Sequence, residues 1–318
     1  MVRIVQKKIQ CFDKLRLGEG SGGKVDRVTR KDGKHYVLKR VNDGQDGMTE
    51  VSRHIMLEGA PHGSQLLMAS IVVDPRLEVS LLFPYQGPFV VDLVEFVDSR
   101  GPLAPSLVRH VSRQLVEFVN WTIEKANIYH EDIRPENILI DVRTCKITVI
   151  DYGMFASYHN SGPFYLTFQG VARSHVPKKS IMDMDSFLCI PPEAYKTGWT
   201  TDDDYLNFMM GALYTYLSLG QRPFETQEAQ LNHRTDATKW DMYDPFHRFL
   251  WDSISEDTTR RPHWRHPERH PFFFDLQENH CLPPPPLNFP TQRMQREPAP
   301  QQPVQQQPEE RVLAYEYY

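Results

Sequence analysis

The sequence predicts an α+β fold in which a small β-rich lobe precedes a larger helical lobe. Three observations carry this prediction. Residues 12–83 contain short apolar runs separated by turn signals, which is typical of strands. From residue 105 onward, apolar residues recur at the three- to four-residue spacing of helices. Between these regions Pro84-Tyr-Gln-Gly-Pro88 breaks the pattern, so we expect lobes at about 12–84 and 88–274.

The composition is that of an ordinary globular chain. Of 318 residues, 40% are hydrophobic and 24% charged, and the net charge of −5 lacks the basic excess that favours nucleic-acid binding. No apolar run has the length of a membrane span, and the first residues lack the core of a signal peptide. The four cysteines are scattered without a CxxC pair. We therefore expect no nucleic-acid partner, no membrane span and an intracellular protein, cytoplasmic or nuclear.

The first strands enclose a glycine-rich loop. Strands are predicted at Phe12–Leu17, from Val25, and at His35–Val41, so the loop joins two antiparallel strands rather than a strand and a helix, which argues against a dinucleotide-binding fold. Glycines let backbone amides approach phosphate oxygens closely. Lys39, fourteen residues past Val25 on an apolar strand, strengthens this interpretation. The residues of the loop are Gly18, Glu19, Gly20, Ser21, Gly22, Gly23, Lys24 and Val25.

The remaining elements follow from periodicity. The amphipathic patterns predict helices, and the apolar runs between turn signals predict strands. The helices are expected at 48–58, 105–125, 206–219 and 245–254, and the strands at 66–73 and 77–83.

The chemistry is concentrated between residues 129 and 153. Asp132 and Asn137 lie five apart in a polar stretch before an apolar strand, and a second apolar run from Ile147 ends at Asp151. Two carboxylates and a carboxamide would thus meet at the same ends of neighbouring strands. A reaction on a metal-bound phosphate needs this set, because one carboxylate takes the nucleophile's proton and the others bind magnesium.

Taken together, these motifs resemble the protein kinase superfamily over about residues 12–274. The glycine loop resembles the phosphate-covering loop of that family, and Val37-Leu-Lys39 the strand that carries its ATP-binding lysine. The further matches are His130-Glu-Asp132-Ile-Arg134-Pro-Glu-Asn137, Asp151-Tyr-Gly153, Pro191-Pro-Glu193, Gly220-Gln-Arg-Pro-Phe224, Arg261-Pro262 and His270-Pro-Phe-Phe273. The resemblance implies a two-lobed kinase fold with an ATP cleft between the lobes.

The resemblance also implies a role for each residue. ATP is the expected cosubstrate, with Mg²⁺, or alternatively Mn²⁺, as the metal. Lys39 would contact the α- and β-phosphates, and Asp132 would accept or orient the proton of the substrate hydroxyl. Asn137 and Asp151 would hold the metal, and Arg134 would steady the transferred phosphate. His130 is expected to be structural, and Glu193 and Arg261 to form a buried ion pair.

Two positions depart from the family pattern. Glu131 stands where many kinases have an arginine that binds a phosphorylated activation loop, so phosphorylation is not expected to switch activity through this contact. The helix glutamate that pairs with Lys39 is less clear. Glu50 is the preferred candidate, with His54 and Glu58 as alternatives. A structural role for Glu50, as a first-turn glutamate that complements the helix dipole, also stays open.

Substrate specificity is predicted from two residues. Arg134 and Ser186 favour a serine/threonine kinase acting on proteins, and the alternative from another class is a pseudokinase scaffold that binds a partner. Because Lys39, Asp132, Asn137 and Asp151 are all present, the active enzyme is preferred. The stretch Asp202-Asp-Asp204 offers several candidates for the aspartate that braces the catalytic loop.

The two ends of the chain fall outside the predicted domain. Residues 1–11 are treated as an N-terminal extension, and residues 275–318 form a Pro/Gln-rich segment predicted to be disordered. Pro283–Pro286 in this tail could bind SH3- or WW-type domains, although a solvated spacer is the simpler interpretation. The departures from the family pattern resemble those of kinases from large DNA viruses such as herpesviruses, which would place the protein in a host cell.

Overall fold

The computed structural model describes most of the chain up to residue 266. The described residues all belong to one unit, Met1–Pro286. Ser21, Ser186, His270–Phe273 and the tail at 275–318, which carry predictions made above, lie outside the described residues. The described ranges are 2–20, 22–73, 75–157, 164–165, 167–168, 171–172, 190–197, 199–224, 229–230, 232 and 240–266.

A six-stranded sheet forms the first part of the fold. Its strands are β1 (Arg3–Val5), β2 (Phe12–Gly20), β3 (Gly23–Thr29), β4 (His35–Val41), β5 (Met68–Val73) and β6 (Leu77–Pro84). The order across the sheet is β1-β5-β6-β4-β3-β2. Only β1 and β5 pair in parallel, and the other neighbours are antiparallel. The β-rich lobe predicted from the sequence is confirmed.

Helix α1 (Gly44–Met56) packs on one face of this sheet. Asp43 caps it by accepting hydrogen bonds from the backbone amides of Gln45 and Asp46, which fixes where the helix begins. The buried face carries Gly47, Glu50, Val51 and His54, at helical spacing. Gly47 lets the helix approach closely, because a Cβ there would lie 2.6 Å from the Val79 side chain on β6.

The N-terminal segment, expected to be a separate extension, is part of the sheet lobe. Strand β1 adds beside β5, and the Ser70 hydroxyl donates to the Lys7 carbonyl at 2.8 Å. Val2 packs with the cluster beneath α1, whereas Ile9 and Cys11 pack on the opposite face against Val28, Leu38 and Leu82. The segment therefore covers apolar residues on both faces. This position could not be predicted, because the three residues of β1 are too few to show an alternating apolar pattern.

The second part is mainly helical. Its helices are α2 (Leu93–Arg100), α3 (Pro105–Ala126), α4 (Pro192–Thr197), α5 (Asp202–Leu219) and α6 (Pro245–Ser253), with 3₁₀ turns at Pro135–Asn137 and Thr258–Arg260. Short strands accompany them: β7 (Val90–Asp92), β8 (Ile128–His130), β9 (Ile138–Asp141), β10 (Ile147–Val149), β11 (Phe155–Ser157), β12 (Phe164–Tyr165), β13 (Thr167–Phe168), β14 (Val171–Ala172) and β15 (Trp199–Thr200). The α+β fold class is confirmed, and helices α2 and α4 were not predicted.

Two long helices organise this part. Helix α3 begins with Pro105 at its first position and ends at Asn127, which adopts the left-handed conformation. Helix α5 is capped by Thr201 and ends at left-handed Gly220, and most of its residues are buried, as the continuous apolar pattern predicts. No helix among the described residues is long and apolar enough to cross a membrane.

The predicted buried ion pair is confirmed. Both guanidinium Nη atoms of Arg261 lie 2.7 Å from the carboxylate oxygens of Glu193, and its Nε donates to the Ser255 carbonyl at 2.8 Å. The pair joins α4 to the segment after α6. A bidentate, hydrogen-bonded pair of this kind serves the fold, because removing one partner would leave a buried charge.

Candidate active site

Lys39 lies at the centre of a buried charge cluster. Its Nζ is 2.9 Å from Glu50 Oε1 on α1 and 2.7 Å from Asp151 Oδ1 after β10. Burial opposes the charged ammonium, but the two carboxylates outweigh burial and raise the pKa of Lys39. Lys39 on strand β4 thus remains a cation and connects the sheet to helix α1 and to Asp151 after β10.

The structure distinguishes among the three candidates for the partner of Lys39. Glu50 makes the direct contact. His54, one turn further along, lies with Nε2 3.9 Å from Glu50 Oε1 rather than against the lysine. Glu58 is exposed beyond the end of α1 at Met56. The helix-dipole alternative for Glu50 is wrong, because Glu50 is the seventh residue of α1 and lies beyond its first turn.

Asp132 and Asn137 are joined within the loop after β8. The Asn137 amide nitrogen donates to the Asp132 carbonyl at 2.9 Å and to Asp132 Oδ2 at 2.7 Å. The Pro135–Asn137 turn brings the two side chains together, and the amide of Ile150 donates to the Asn137 carbonyl at 2.9 Å. Because β9 and β10 are antiparallel neighbours, Asn137 at the start of one lies beside the end of the other.

His130 links the loop to the strand that leads to Asp151. One ring nitrogen, Nε2, lies 3.1 Å from the Ile150 carbonyl, and the other, Nδ1, accepts from the Asp132 amide at 3.1 Å. This pattern requires a neutral ring with its proton on Nε2. Burial lowers the pKa of His130, which agrees with a neutral ring. His130 therefore orients the backbone around Asp132.

The two aspartates have opposite electrostatic environments. Burial raises the pKa of Asp132, and the nearby charge of Arg134 offsets this only in part. Burial also opposes ionisation of Asp151, but the Lys39 ammonium outweighs it and lowers the pKa of Asp151. A carboxylate with a raised pKa suits proton acceptance, and one with a lowered pKa suits metal binding.

Arg134 makes an ion pair that the sequence did not predict. Its Nε lies 3.0 Å from Glu136 Oε2, and both side chains are partly exposed. The guanidinium is close enough to affect the pKa of Asp132, so it lies beside the candidate base. Its contact with a transferred phosphate stays a prediction.

Tyr152, between Asp151 and Gly153, is fully buried. Its ring stacks on His54 with centroids 4.2 Å apart and contacts His130 edge-on at 6.2 Å. Its hydroxyl accepts a hydrogen bond from the Ser64 amide at 3.1 Å. Asp151 itself has a left-handed φ of 62°, a conformation that aspartate tolerates better than most residues. The packing of Tyr152 holds this turn in place.

The glycine segment is a tight hairpin rather than an extended loop. Strands β2 and β3 pair as far as Gly20 and Gly23, and Gly22 lies in the turn between them. Gly23 has a φ of 143°, and a Cβ there would lie 2.1 Å from the Arg40 carbonyl oxygen, so glycine is required. A Cβ on Gly22 would lie 3.9 Å from Asp151 Oδ2, which places the turn over the site.

Gly18 and Gly20 differ from Gly23. A Cβ at either position would meet nothing within 4 Å, so the packing of the chain does not require glycine there. The open space fits a nucleotide phosphate approached by backbone amides. Lys24 and Glu19 pair with each other across the hairpin at 2.9 Å, and Val25 lies opposite Lys39 in the register.

Asn137 and Asp151 fit a metal ion bound together with phosphate. The Asn137 amide nitrogen is used by Asp132, which leaves its carboxamide oxygen to face a cation. Among the described residues no group of three or more His, Cys, Asp or Glu side chains could hold a metal. A two-ligand site of this kind suits Mg²⁺, which keeps waters and takes phosphate oxygens as further ligands.

Sequence reasoning missed two contacts around this site and left a third open. Arg53 donates to the backbone carbonyls after Asp151, and its partners carry no side-chain signal in the sequence. The His54–Tyr152 stack depends on tertiary packing. Among the three aspartates at 202–204, Asp202 is the buried one, and it accepts from the Tyr129 hydroxyl at 3.3 Å.

Comparison with protein families gives one match that covers most of the chain. A model described as protein kinase domain matches residues 13–273. The matched range includes every residue of the site described above.

Individual relatives are similar over shorter stretches. RAD53, a serine/threonine-protein kinase of Saccharomyces cerevisiae, is 30% identical over 227 residues, 69% of this chain and 26% of that protein. A probable CTD kinase subunit alpha homolog of Encephalitozoon cuniculi is 30% identical over 146 residues, 45% of this chain and 42% of its own length. The serine/threonine-protein kinase pim-2 of Danio rerio is 41% identical over 91 residues, 29% and 28% of the two chains. The matched segments thus span less than half of these relatives.

Proposed function

This chain belongs to the protein kinase family, and we propose that it transfers the γ-phosphoryl group of ATP to serine or threonine hydroxyls of protein substrates. The observation that carries the proposal is the meeting of four side chains: Lys39 lies 2.7 Å from Asp151, and Asp132 lies 2.7 Å from Asn137. The hairpin turn at Gly22 lies over the same place. A pseudokinase scaffold would not require all four of these side chains, so their joint presence favours an active enzyme.

Each residue has a distinct task in this proposal. Asp132, whose pKa is raised by burial, accepts or orients the proton of the attacking hydroxyl. Lys39, held by Glu50, binds the α- and β-phosphates, and the amides of the glycine hairpin cover them. Arg134 steadies the transferred phosphoryl group. A bound Mg²⁺, or Mn²⁺ in its place, would be held by Asn137 and Asp151 and would neutralise phosphate charge.

Serine/threonine specificity has separate support. Arg134, two residues after Asp132, keeps a cation where serine/threonine kinases resembling this chain have a lysine. The printed names of RAD53 and pim-2 describe serine/threonine kinases, although their similarity to this chain is limited. We propose further that phosphorylation of the activation segment does not switch activity through position 131, because the buried carboxylate of Glu131 would repel a phosphate.

A phosphotransfer assay tests the proposal. The purified chain is incubated with labelled ATP, Mg²⁺ and mixed protein substrates, beside Asp132→Asn, Lys39→Ala and the control Asp32→Asn, an exposed turn carboxylate. We expect Asp132→Asn to lose on the order of 10³-fold in rate and Lys39→Ala on the order of 10²–10³-fold. The control should keep the parent rate.

Phosphoamino-acid analysis of the products tests the finer statement. Phosphoserine and phosphothreonine are the expected products, and phosphotyrosine as the main product would contradict the specificity. Equal incorporation by all four proteins would point to a contaminating kinase and favour the scaffold alternative. A rise in activity on phosphorylation of the activation segment that is abolished by Glu131→Ala would contradict the proposal on regulation.

A further inference from the structure

Arg53 is a half-buried residue of α1 that the proposed phosphotransfer does not use. It lies three positions after Glu50, so the two side chains project from the same side of the helix. Its Nη1 donates to the carbonyl oxygen of Tyr152 at 3.2 Å and also to that of Gly153. These are the two residues that directly follow Asp151.

The carboxylate that most favours the charged form of Arg53 belongs to the catalytic loop. Glu131 is buried, with 5% of its surface exposed, and its backbone amide donates to the Met154 carbonyl at 3.2 Å. Met154 follows Gly153, so the backbone of Glu131 lies one residue from a carbonyl that Arg53 binds. Burial lowers the pKa of Arg53, and among the carboxylates that oppose this effect Glu131 is the strongest, ahead of Glu50.

An arginine in this setting remains charged, because its intrinsic pKa is far above neutrality. A partly desolvated guanidinium is stable only where carbonyls and carboxylates compensate it. The carbonyls after Asp151 and the Glu131 carboxylate supply that compensation from two different segments. Hydrogen bonds from Arg53 thus join α1 to the turn at Asp151, and its charge is compensated from the catalytic loop.

The geometry couples Arg53 to the candidate site. If α1 moved away from the sheet, the Lys39–Glu50 contact and the Arg53 hydrogen bonds would break together, since both belong to one face of one helix. In kinases that the chain resembles, an arginine at position 131 meets a phosphate on the activation segment. Here position 131 is an anion, and the cation comes from α1.

We propose that Arg53 is a positioning residue that, with Glu131 as its counter-charge, fixes α1 against the turn at Asp151–Gly153 without a phosphate on the activation segment. Asp151 and the Lys39–Glu50 pair are then held in their working arrangement by residues of the folded chain alone. The expected effect on kcat rests on the proposed phosphotransfer. The expected effect on the structure of the turn rests only on the hydrogen bonds of Arg53.

The first test compares Arg53→Met with the parent after phosphatase treatment of the whole chain. Methionine keeps the apolar stem and removes the charge and the donors. We expect kcat to fall at least about tenfold, as for loss of a charge-assisted hydrogen bond, and the Mg²⁺ concentration for half-maximal rate to rise. Arg143→Met is the matched control, because Arg143 is exposed and contacts Asp141 and the Phe89 ring, neither of which belongs to the proposed site.

Hydrogen exchange supplies a readout that needs no activity. The amides of residues 151–154 should exchange faster in Arg53→Met than in the parent, while those of β3 and β4 stay unchanged. If Arg53→Met does not fold, Arg53→Lys replaces it. Lysine keeps the charge without the planar fork, so an intermediate kcat and intermediate exchange are expected.

A double-mutant cycle tests the link to Glu131. Glu131→Gln should lower kcat several-fold in the parent and have no further effect in Arg53→Met, because its target is then missing. If the two substitutions lowered kcat independently, the proposed pairing of Arg53 with Glu131 would be contradicted. Parent-like kcat, Mg²⁺ dependence and exchange in Arg53→Met would overturn the proposal. If the parent itself transfers no phosphate, the proposed function fails, and the exchange experiment alone decides the role of Arg53.

Discussion

The two segments that form the candidate site are stabilised in opposite ways. In the catalytic loop Tyr129, His130 and Ile133 are fully buried. The Asp132 amide donates to His130 Nδ1, and the Asn137 side chain donates to the Asp132 carboxylate. In the glycine hairpin all nine residues of β2 are exposed. Its contacts include the ladder to β3, surface ion pairs and a hydrogen bond from the Asn42 side chain to the Gly20 carbonyl at 3.3 Å.

The difference indicates which parts are preorganised. Folding alone sets the position of Asp132, because the groups that orient it are themselves in the core. In the hairpin, the backbone at Gly23 leaves no room for a side chain, so its conformation is fixed there. At Gly18 and Gly20 there is space for a side chain. We interpret the loop as the fixed half of the site and the hairpin as the half that adjusts to its ligand.

The largest effect on activity is expected from a substitution in the catalytic loop that removes the hydrogen bonds to Asp132. Asn137→Ala removes both hydrogen bonds to Asp132 and a proposed metal ligand. We expect kcat to fall on the order of 10²–10³-fold. The free energy of unfolding should fall by about 1–3 kcal/mol, since the bonds are buried. Kinase assays measure the rate and urea unfolding measures the stability, and Gln65→Ala, at an exposed carboxamide, should change neither. A parent-like rate would show that Asp132 is not oriented this way.

Within the hairpin, two glycines should respond differently to the same change. Gly23→Ala forces a Cβ against the Arg40 carbonyl in a left-handed region, so the free energy of unfolding should fall by about 1–3 kcal/mol. Gly18→Ala should stay within about 0.5 kcal/mol of the parent but raise the KM for ATP several-fold, because it narrows the open space. Equal stability losses in urea unfolding would contradict the distinction.

A smaller effect concerns the charge of Asp132. Its pKa is raised in the folded chain above the ordinary value of 3.8, so its ionised form opposes folding at every pH above that raised value, including pH 7. The opposition disappears as the pH falls through the folded pKa. Asp132→Asn should therefore raise the unfolding temperature at pH 7, by about 2 °C, while abolishing activity. A lower unfolding temperature would show that the carboxylate contributes hydrogen bonds worth more than its burial costs.

The smallest effect is expected at the hairpin surface. Glu19→Gln removes the exposed ion pair with Lys24, and surface pairs of this kind contribute little and are screened by salt. The urea midpoint and the KM for ATP should both match those of the parent. A marked rise in KM would mean that the Glu19 side chain itself contacts the nucleotide.

The sequence was informative where spacing alone fixes position. The strand–turn–strand pattern placed the glycine hairpin and Lys39, and the five-residue interval between Asp132 and Asn137 is short enough for one turn to bring them together. Because β9 pairs with β10, Asp151 after β10 lies close to Asn137 at the start of β9. These relations are local or pass through adjacent strands, so they can be predicted without knowledge of the whole fold.

Relations that depend on tertiary packing could not be predicted in this way. Glu50 and His54 lie on one helix face, and only the distance between α1 and the sheet decides which one reaches Lys39. The contact of Arg53 with two carbonyls leaves no mark on the sequence of its partners. Strand β1 is too short to show alternation, and its place beside β5 depends on apolar contacts of Val2 and Ile9 on the two faces.

The position of β1 has a consequence for how the chain can be shortened. A protein cut at residue 13, where the family match begins, would lose the strand that protects β5 and would leave β5 as an unpaired edge with free amides and carbonyls. The same cut would uncover Leu38 and Leu82 on the outer face. Such an edge beside an apolar patch is a template for association between copies. We therefore expect a chain that begins at residue 13 to aggregate more readily than the parent.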